Sequence, residues 1–299
     1  MRSLLVVTLA FASAPHSWAQ STEAAGDHVR GLWSTEFRNA RVEAAKRPAP
    51  PRPAGAAPAV TGPAPSAAAP AKPGKTEPSM IGVTVWHLRP SKAADSPAVR
   101  AIVHEKSDRP HTPVRVSSQT RFFEGDHLRL TIESGRTGFL YVVSRERYKD
   151  GSAGPQQLIF PTTRLRGGDN RVRAGYPVEI PSGADDPSYF TMRRSRPDHV
   201  GEEILFIVAP RPIGGITIAE DPLELSESLV KSWREKWVTK VQSIETPASQ
   251  EQPLTSEEVK LLRAGNAFQD TDPLPQTLYR VDSQPDQPFL VSLQLKMTQ

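Results

Sequence analysis

The residues with the plainest chemical potential are arginines. Arg164, Arg166, Arg171 and Arg173 flank the run Gly167-Gly168-Asp169-Asn170, and Arg193, Arg194 and Arg196 follow a little later. A guanidinium presents paired, coplanar donors that match a carboxylate or phosphate. Several of them gathered on one face would therefore bind an acidic polymer or an acidic protein surface. Arg164, Arg166, Arg171 and Arg173 are the candidate ligand-binding residues. The same residues also read as a solvated loop whose charges keep a sheet edge from pairing with other chains.

Constellations for catalysis or metal binding are not spelled out. His104-Glu105 begins like the zinc-protease helix motif, but Asp108 stands where a second histidine must follow one turn later to share the ion. His87, His111, His127 and His199 have no close ligand spacing, so neither a metal nor a cofactor is expected. There is no G-x-S-x-G elbow, phosphate-binding loop or dinucleotide fingerprint. A hydrolase would need distant residues such as His127, Asp150 and Ser188 to converge, and the chain is expected not to be an enzyme. A carbohydrate-binding module is the alternative, with Trp86, Tyr148, Tyr176 and Tyr189 as stacking faces.

Bulk properties narrow the classes further. The chain has 299 residues, no cysteine, 30 prolines, and 37 basic residues against 33 acidic ones, for a net charge of +4. A surplus that small does not imply nucleic acid. Without cysteine there is no disulfide, no thiolate chemistry and no lipidated N-terminal cysteine. Arg2, the uncharged apolar run from Leu4 to Ala14, and the small residues Ser17 and Ala19 around Trp18 form a signal peptide over 1–19, with cleavage before Gln20. The run is too short to span a bilayer, which takes about 20 helical residues, and no later stretch reaches that length. The mature chain is therefore expected in the periplasm or outside the cell, with no transmembrane segment.

Residues 20–46 place Val29, Trp33 and Phe37 four apart, on one side of a helix too short to be stable by itself. The segment is either an unstructured start or a peptide that docks on a partner or on the body of the protein. Residues 47–79 are rich in proline and alanine, a linker that in polyproline-like extension reaches roughly 90 Å. From residue 80 apolar side chains alternate: Val83 and Val85, Val114 and Val116, then Leu128, Leu130 and Ile132. Gly138 to Ser144 and Ile204 to Ala209 are more continuously apolar and belong in the centre of a sheet. Glycine-containing turns recur between them.

The expected fold is mainly β: an antiparallel β-sandwich or barrel-like domain over 80–219, with one or two C-terminal helices packed on it. Residues 220–299 form a helical and strand extension. Asp221-Pro222-Leu223-Glu224 reads as a helix start, and the helix should run to about Ser243 on a stripe of Leu229, Val230, Trp233, Trp237 and Val241. A second helix starts at Thr255, with Glu258 completing a capping box, and stops at Gly265. Phe289, Val291, Leu293 and Leu295 alternate as a last strand.

Between about Thr120 and Ala209 a series of short motifs runs in order: Phe123-Glu124-Gly125-Asp126-His127-Leu128-Arg129-Leu130, Gly138-Phe139-Leu140-Tyr141-Val142, Asp150-Gly151, Leu158-Ile159-Phe160-Pro161, Asn170 to Gly175, and Val178-Glu179-Ile180-Pro181. This stretch resembles the bacterial domain of unknown function 4384. The resemblance implies a β-rich accessory module and carries no catalytic residues with it. Together these readings describe an exported, non-catalytic binding or interaction module of the bacterial cell envelope, whose partner is an envelope protein or an anionic polymer.

Overall fold

The computed structural model describes residues 31–43, 77–100, 110–237, 240–246, 252–264, 267, 269 and 271–298. The expected signal peptide, most of the linker and His104-Glu105 lie outside the described residues. Two sheets stack face to face, and a short helix, α2 (Pro97–Arg100), follows the first strand. One is built on β1 (Glu77–Pro90), whose first half pairs with β14 (Thr277–Ser283) and whose second half pairs with β2 (His111–Val116) along the same edge. The opposite edge of β1 carries β4 (His127–Ser134), which in turn carries β8 (Pro177–Ile180) and β9 (Phe190–Thr191). β12 (Val241–Glu245) extends this sheet beyond β14, and β13 (Gln252–Pro253) beyond β2.

The second sheet runs β11 (Leu223–Leu225), β6 (Gln156–Phe160), β5 (Gly138–Tyr148), β10 (His199–Ala209), β15 (Phe289–Met297) and β3 (Arg121–Phe122), with β7 (Arg171–Val172) beside the start of β5. All pairings are antiparallel except β15 with β3. Every second side chain on the facing sides enters the shared core: Ile81, Val83 and Val85, Leu128, Leu130 and Ile132 from one sheet, and Leu140, Val142, Ile204, Phe206, Val291 and Leu293 from the other. This is the period-two pattern of the sequence, and the fold is the expected antiparallel sandwich with helices on it.

The continuously apolar strands are covered on both faces, as expected. Tyr141, Val143, Leu205 and Ile207 point out of the back of the second sheet and meet Val230 and Trp233 of α3 (Glu227–Trp237). That helix is shorter than the 221–243 reading. Leu223-Glu224-Leu225 alternates and pairs with β6, Ser226 Oγ caps the helix at Leu229 N, and Val241 to Glu245 joins β14 as a strand. Asp221 lies beside Arg164 instead of capping. The second helix, α4 (Ser256–Ala264), begins as predicted. Thr255 Oγ1 accepts from Glu258 N at 3.2 Å, and Glu258 Oε2 accepts from Thr255 N at 2.9 Å.

Two boundaries move. The first strand starts at Glu77, not at residue 80, and 220–299 is no extension, because β14 and β15 are interior members of the two sheets. The N-terminal segment resolves into α1 (31–43), seated on the outer face of the first sheet through Trp33 and Phe37 against Met80, Leu274 and Leu278. α1 therefore packs on the body of the protein, the docking that is one of the two readings of residues 20–46.

One residue fixes that seat. The Arg41 guanidinium is 1% exposed and places all five N–H groups: Nε and Nη2 donate to the two Glu133 oxygens at 2.6 and 2.7 Å, Nη1 to the carbonyls of Gln269 and Asp272, and Nη2 also to that of Pro273. Burial pushes the Glu133 carboxyl above its ordinary value, and Arg41 pulls it back. Removing one partner strands the other charge. Arg41→Ala should lose about 3–5 kcal/mol by denaturant titration, and Arg41→Met combined with Glu133→Leu should recover most of it. Equal losses in the single and double variants would show that the pair is not what holds α1.

Candidate functional site

Arg166 opens a short 3-10 turn, Arg166–Gly168, in which Arg166, Gly167 and Gly168 all have positive φ. The turn delivers Asp169 and Asn170 to β7. Asn170 is buried and closes the loop on β5, its Nδ2 donating to Leu140 O at 3.0 Å. The structure brings the four predicted arginines near this turn but does not leave four open guanidinium groups. Arg164 lies 3.0 Å from Glu220 and 3.3 Å from Asp221. Arg171 forks onto both Asp169 oxygens, and this hydrogen-bonded pair holds the Asp169 carboxyl below the usual carboxylate range. Arg173 covers the Tyr176 ring at 4.1 Å, and Arg166 is largely withdrawn from solvent, which pushes its pKa down. At Arg164 and Arg171 an incoming carboxylate would have to replace one already held at short range, whereas Arg166 Nη1 is buried without a hydrogen-bond partner among the described residues.

The dispersed triad does not assemble. Ser188 is 1% exposed and its Oγ has no hydrogen-bond partner, while Asp150 sits in the exposed turn after β5 with its carboxylate on Ser152. His127 stacks on Tyr189 at 4.0 Å. The aromatic residues do not form a sugar platform either. Trp86 is buried and donates to Thr131 Oγ1 at 2.8 Å, and Arg196 covers Tyr148 at 3.9 Å.

Two features that sequence reasoning missed are better formed. The first is a cluster at the far end of β5 and β10, made of Glu146, His199 and Glu202, in which one ligand atom from each residue lies within 4.8 Å of the others. A bulge between His199 and Gly201 breaks the β5–β10 register here, and such bulges re-aim side chains. Gly201 permits it, since a Cβ at this position would stand 2.0 Å from Leu295 O. His199 is fully buried, with Nε2 2.9 Å from Gly201 O. Burial pushes the Glu202 carboxyl up, Ser144 and His199 oppose that, and Glu146 adds to it. The signal in the sequence is His199-Val200-Gly201-Glu202, but a strand of regular period two would send His199 and Glu202 to opposite faces.

The second is a groove of about 460 Å³ where the sheets part, with Ser243, Glu245 and Thr277 on one side and Ser292, Gln294 and Lys296 of β15 on the other. Beside it, β15 is paired with β10 along one edge, whereas among the described residues its other edge meets β3 only at Lys296 and Met297. Glu245 Oε1 accepts from Thr277 at 3.0 Å, and its Oε2 is buried with no hydrogen-bond partner among the described residues. The nearby Tyr279 hydroxyl is pushed well above its ordinary pKa, by burial first and by Glu245 second. Another concavity, under α4, is walled by Arg115 and Glu258, which already pair at 2.5 Å.

No protein-family model, curated protein or solved structure matches this chain. The likeness to domain of unknown function 4384 thus stands on its motifs alone, which fall on β4, β5, the turn after β5, β6, β7 and β8. Gly201→Ala should cost roughly 1–3 kcal/mol in denaturant titration, because the added methyl meets backbone across the bulge. An unchanged midpoint would mean that the bulge relaxes freely and does not aim His199.

Proposed function

We propose that the chain is an exported, non-catalytic binding module of the bacterial cell envelope that engages an extended segment of an envelope protein along the groove beside β15. The observation that carries this reading is the open edge of β15 running past a buried, unpartnered acceptor, Glu245 Oε2. An incoming strand supplies backbone N–H groups to such an edge and hydrogen-bonding side chains to the groove. A buried acceptor left unsatisfied costs free energy that a donor from the partner recovers. The signal-like start of the sequence, Arg2 followed by the apolar run from Leu4 to Ala14, supports the compartment.

Of the two partner classes anticipated from the arginines, the protein is favoured over the anionic polymer. The groove presents a carboxylate, Glu245, beside Lys296, and two of the four loop arginines, Arg164 and Arg171, are already held by Glu220, Asp221 and Asp169. The hydroxyl and amide lining of Ser243, Thr277, Ser292 and Gln294 supports a second, carbohydrate reading, although Tyr279, the aromatic residue in that lining, is buried.

A photo-crosslinking residue introduced at Ser243 in the native host discriminates these readings. It should trap a protein, and Glu245→Lys should abolish the adduct while Arg171→Ala with Arg173→Ala leaves it intact. Loss of the adduct in the arginine variant but not in the groove variant would return the site to the loop. A trapped glycan would establish the second reading.

A further inference from the structure

The Glu146–His199–Glu202 cluster has an imbalance that the protein alone does not resolve. His199 Nε2 lies 2.9 Å from Gly201 O, and a carbonyl only accepts, so Nε2 carries the hydrogen and Nδ1 presents its lone pair. Nδ1 is buried and makes no hydrogen bond. It faces Glu146 Oε1 at 3.9 Å, acceptor against carboxylate, with Glu202 Oε1 3.5 Å from the other ring nitrogen. A doubly protonated ring would make the Nδ1 contact an ion pair at 3.9 Å, longer than a hydrogen bond, and would leave two carboxylates sharing one positive charge. A cation seated among the three groups satisfies Nδ1 and both carboxylates at once.

The surroundings are those of metal ligands. A ligating imidazole donates its other N–H to a carbonyl, as Nε2 does here, and ligating carboxylates are themselves hydrogen-bonded. Tyr148 donates to Glu146 Oε2 at 2.6 Å and Ser195 donates to the same oxygen, while Ser144 donates to Glu202 Oε2 at 2.7 Å. Each glutamate keeps its Oε1 for an ion. We infer that His199 Nδ1 and the Oε1 atoms of Glu146 and Glu202 bind one divalent transition-metal ion of the zinc class.

Donor atoms around a tetrahedral zinc lie about 3.4 Å apart. The cluster therefore closes by roughly an ångström, within reach of glutamate side chains that are 25% and 18% exposed. Mixed nitrogen and carboxylate ligands suit zinc and its neighbours, whereas calcium and magnesium take six or more oxygens. Three protein ligands leave a fourth position for water, and the ion would tie β5 to β10 across the bulge.

Isothermal titration of the untagged, chelator-stripped protein tests this. Zinc should bind at one equivalent, magnesium should give no heat of binding, and crystals grown with zinc should show an anomalous peak at His199 Nδ1. His199→Asn and Glu202→Gln should each weaken zinc binding at least ~10-fold, and Ser144→Ala about 10-fold. Absence of zinc binding, an anomalous peak elsewhere, or wild-type affinity in these variants would overturn the assignment. If His199→Asn fails to fold, Glu146→Gln, altering a partly exposed side chain, decides the matter in the same way.

Discussion

The arrangement depends on a polar face that is nevertheless buried. Arg129, Thr131 and Glu133 alternate with the core residues of β4 and point away from the sandwich, yet each is at most 6% exposed. A charge withdrawn from water must be met by a partner, and Arg129 Nε donates to Ser188 O while Thr131 and Glu133 are met from other elements. Arg41 forks onto Glu133, Arg115 pairs with Glu258, and Trp86 donates to Thr131. These matches dictate where α1 and α4 sit. They also make the described residues from 31 to 298 one body, with helices on the outside of both sheets.

How much of this is legible in the sequence follows from the range of the interactions involved. Strand positions, the paired faces and the doubly covered β5 and β10 follow from local period, and the capping box of α4 from residues three apart. The polar side of β4 reads as solvent-facing by the same rule. What buries it is contributed by Arg41, 92 residues away, and by the chain around Asp272 and Pro273. Asp221-Pro222 reads as a helix start because nothing local reveals that β6 has a free edge for Leu223 to Leu225.

The candidate sites divide in the same way. Arginines close in sequence are visible, but the carboxylates that occupy Arg164, Glu220 and Asp221, arrive from beyond β10. His199 meets Glu146 only because the two strands pair, and meets Glu202 only because a bulge rotates the strand. The groove beside β15 is the meeting of strand ends with no shared motif. Its lining of serine, threonine and glutamine has no signature in one dimension.

Both functional proposals require a rigid platform, and rigidity here means that α1 is part of the fold. Hydrogen exchange of the full chain measures that most directly. The account predicts that amides in the second half of α1, around Arg41, exchange as slowly as those of β1 and β4, through the same global opening. Exchange there at the rate of an unstructured peptide, with β1 and β4 still protected, would contradict it.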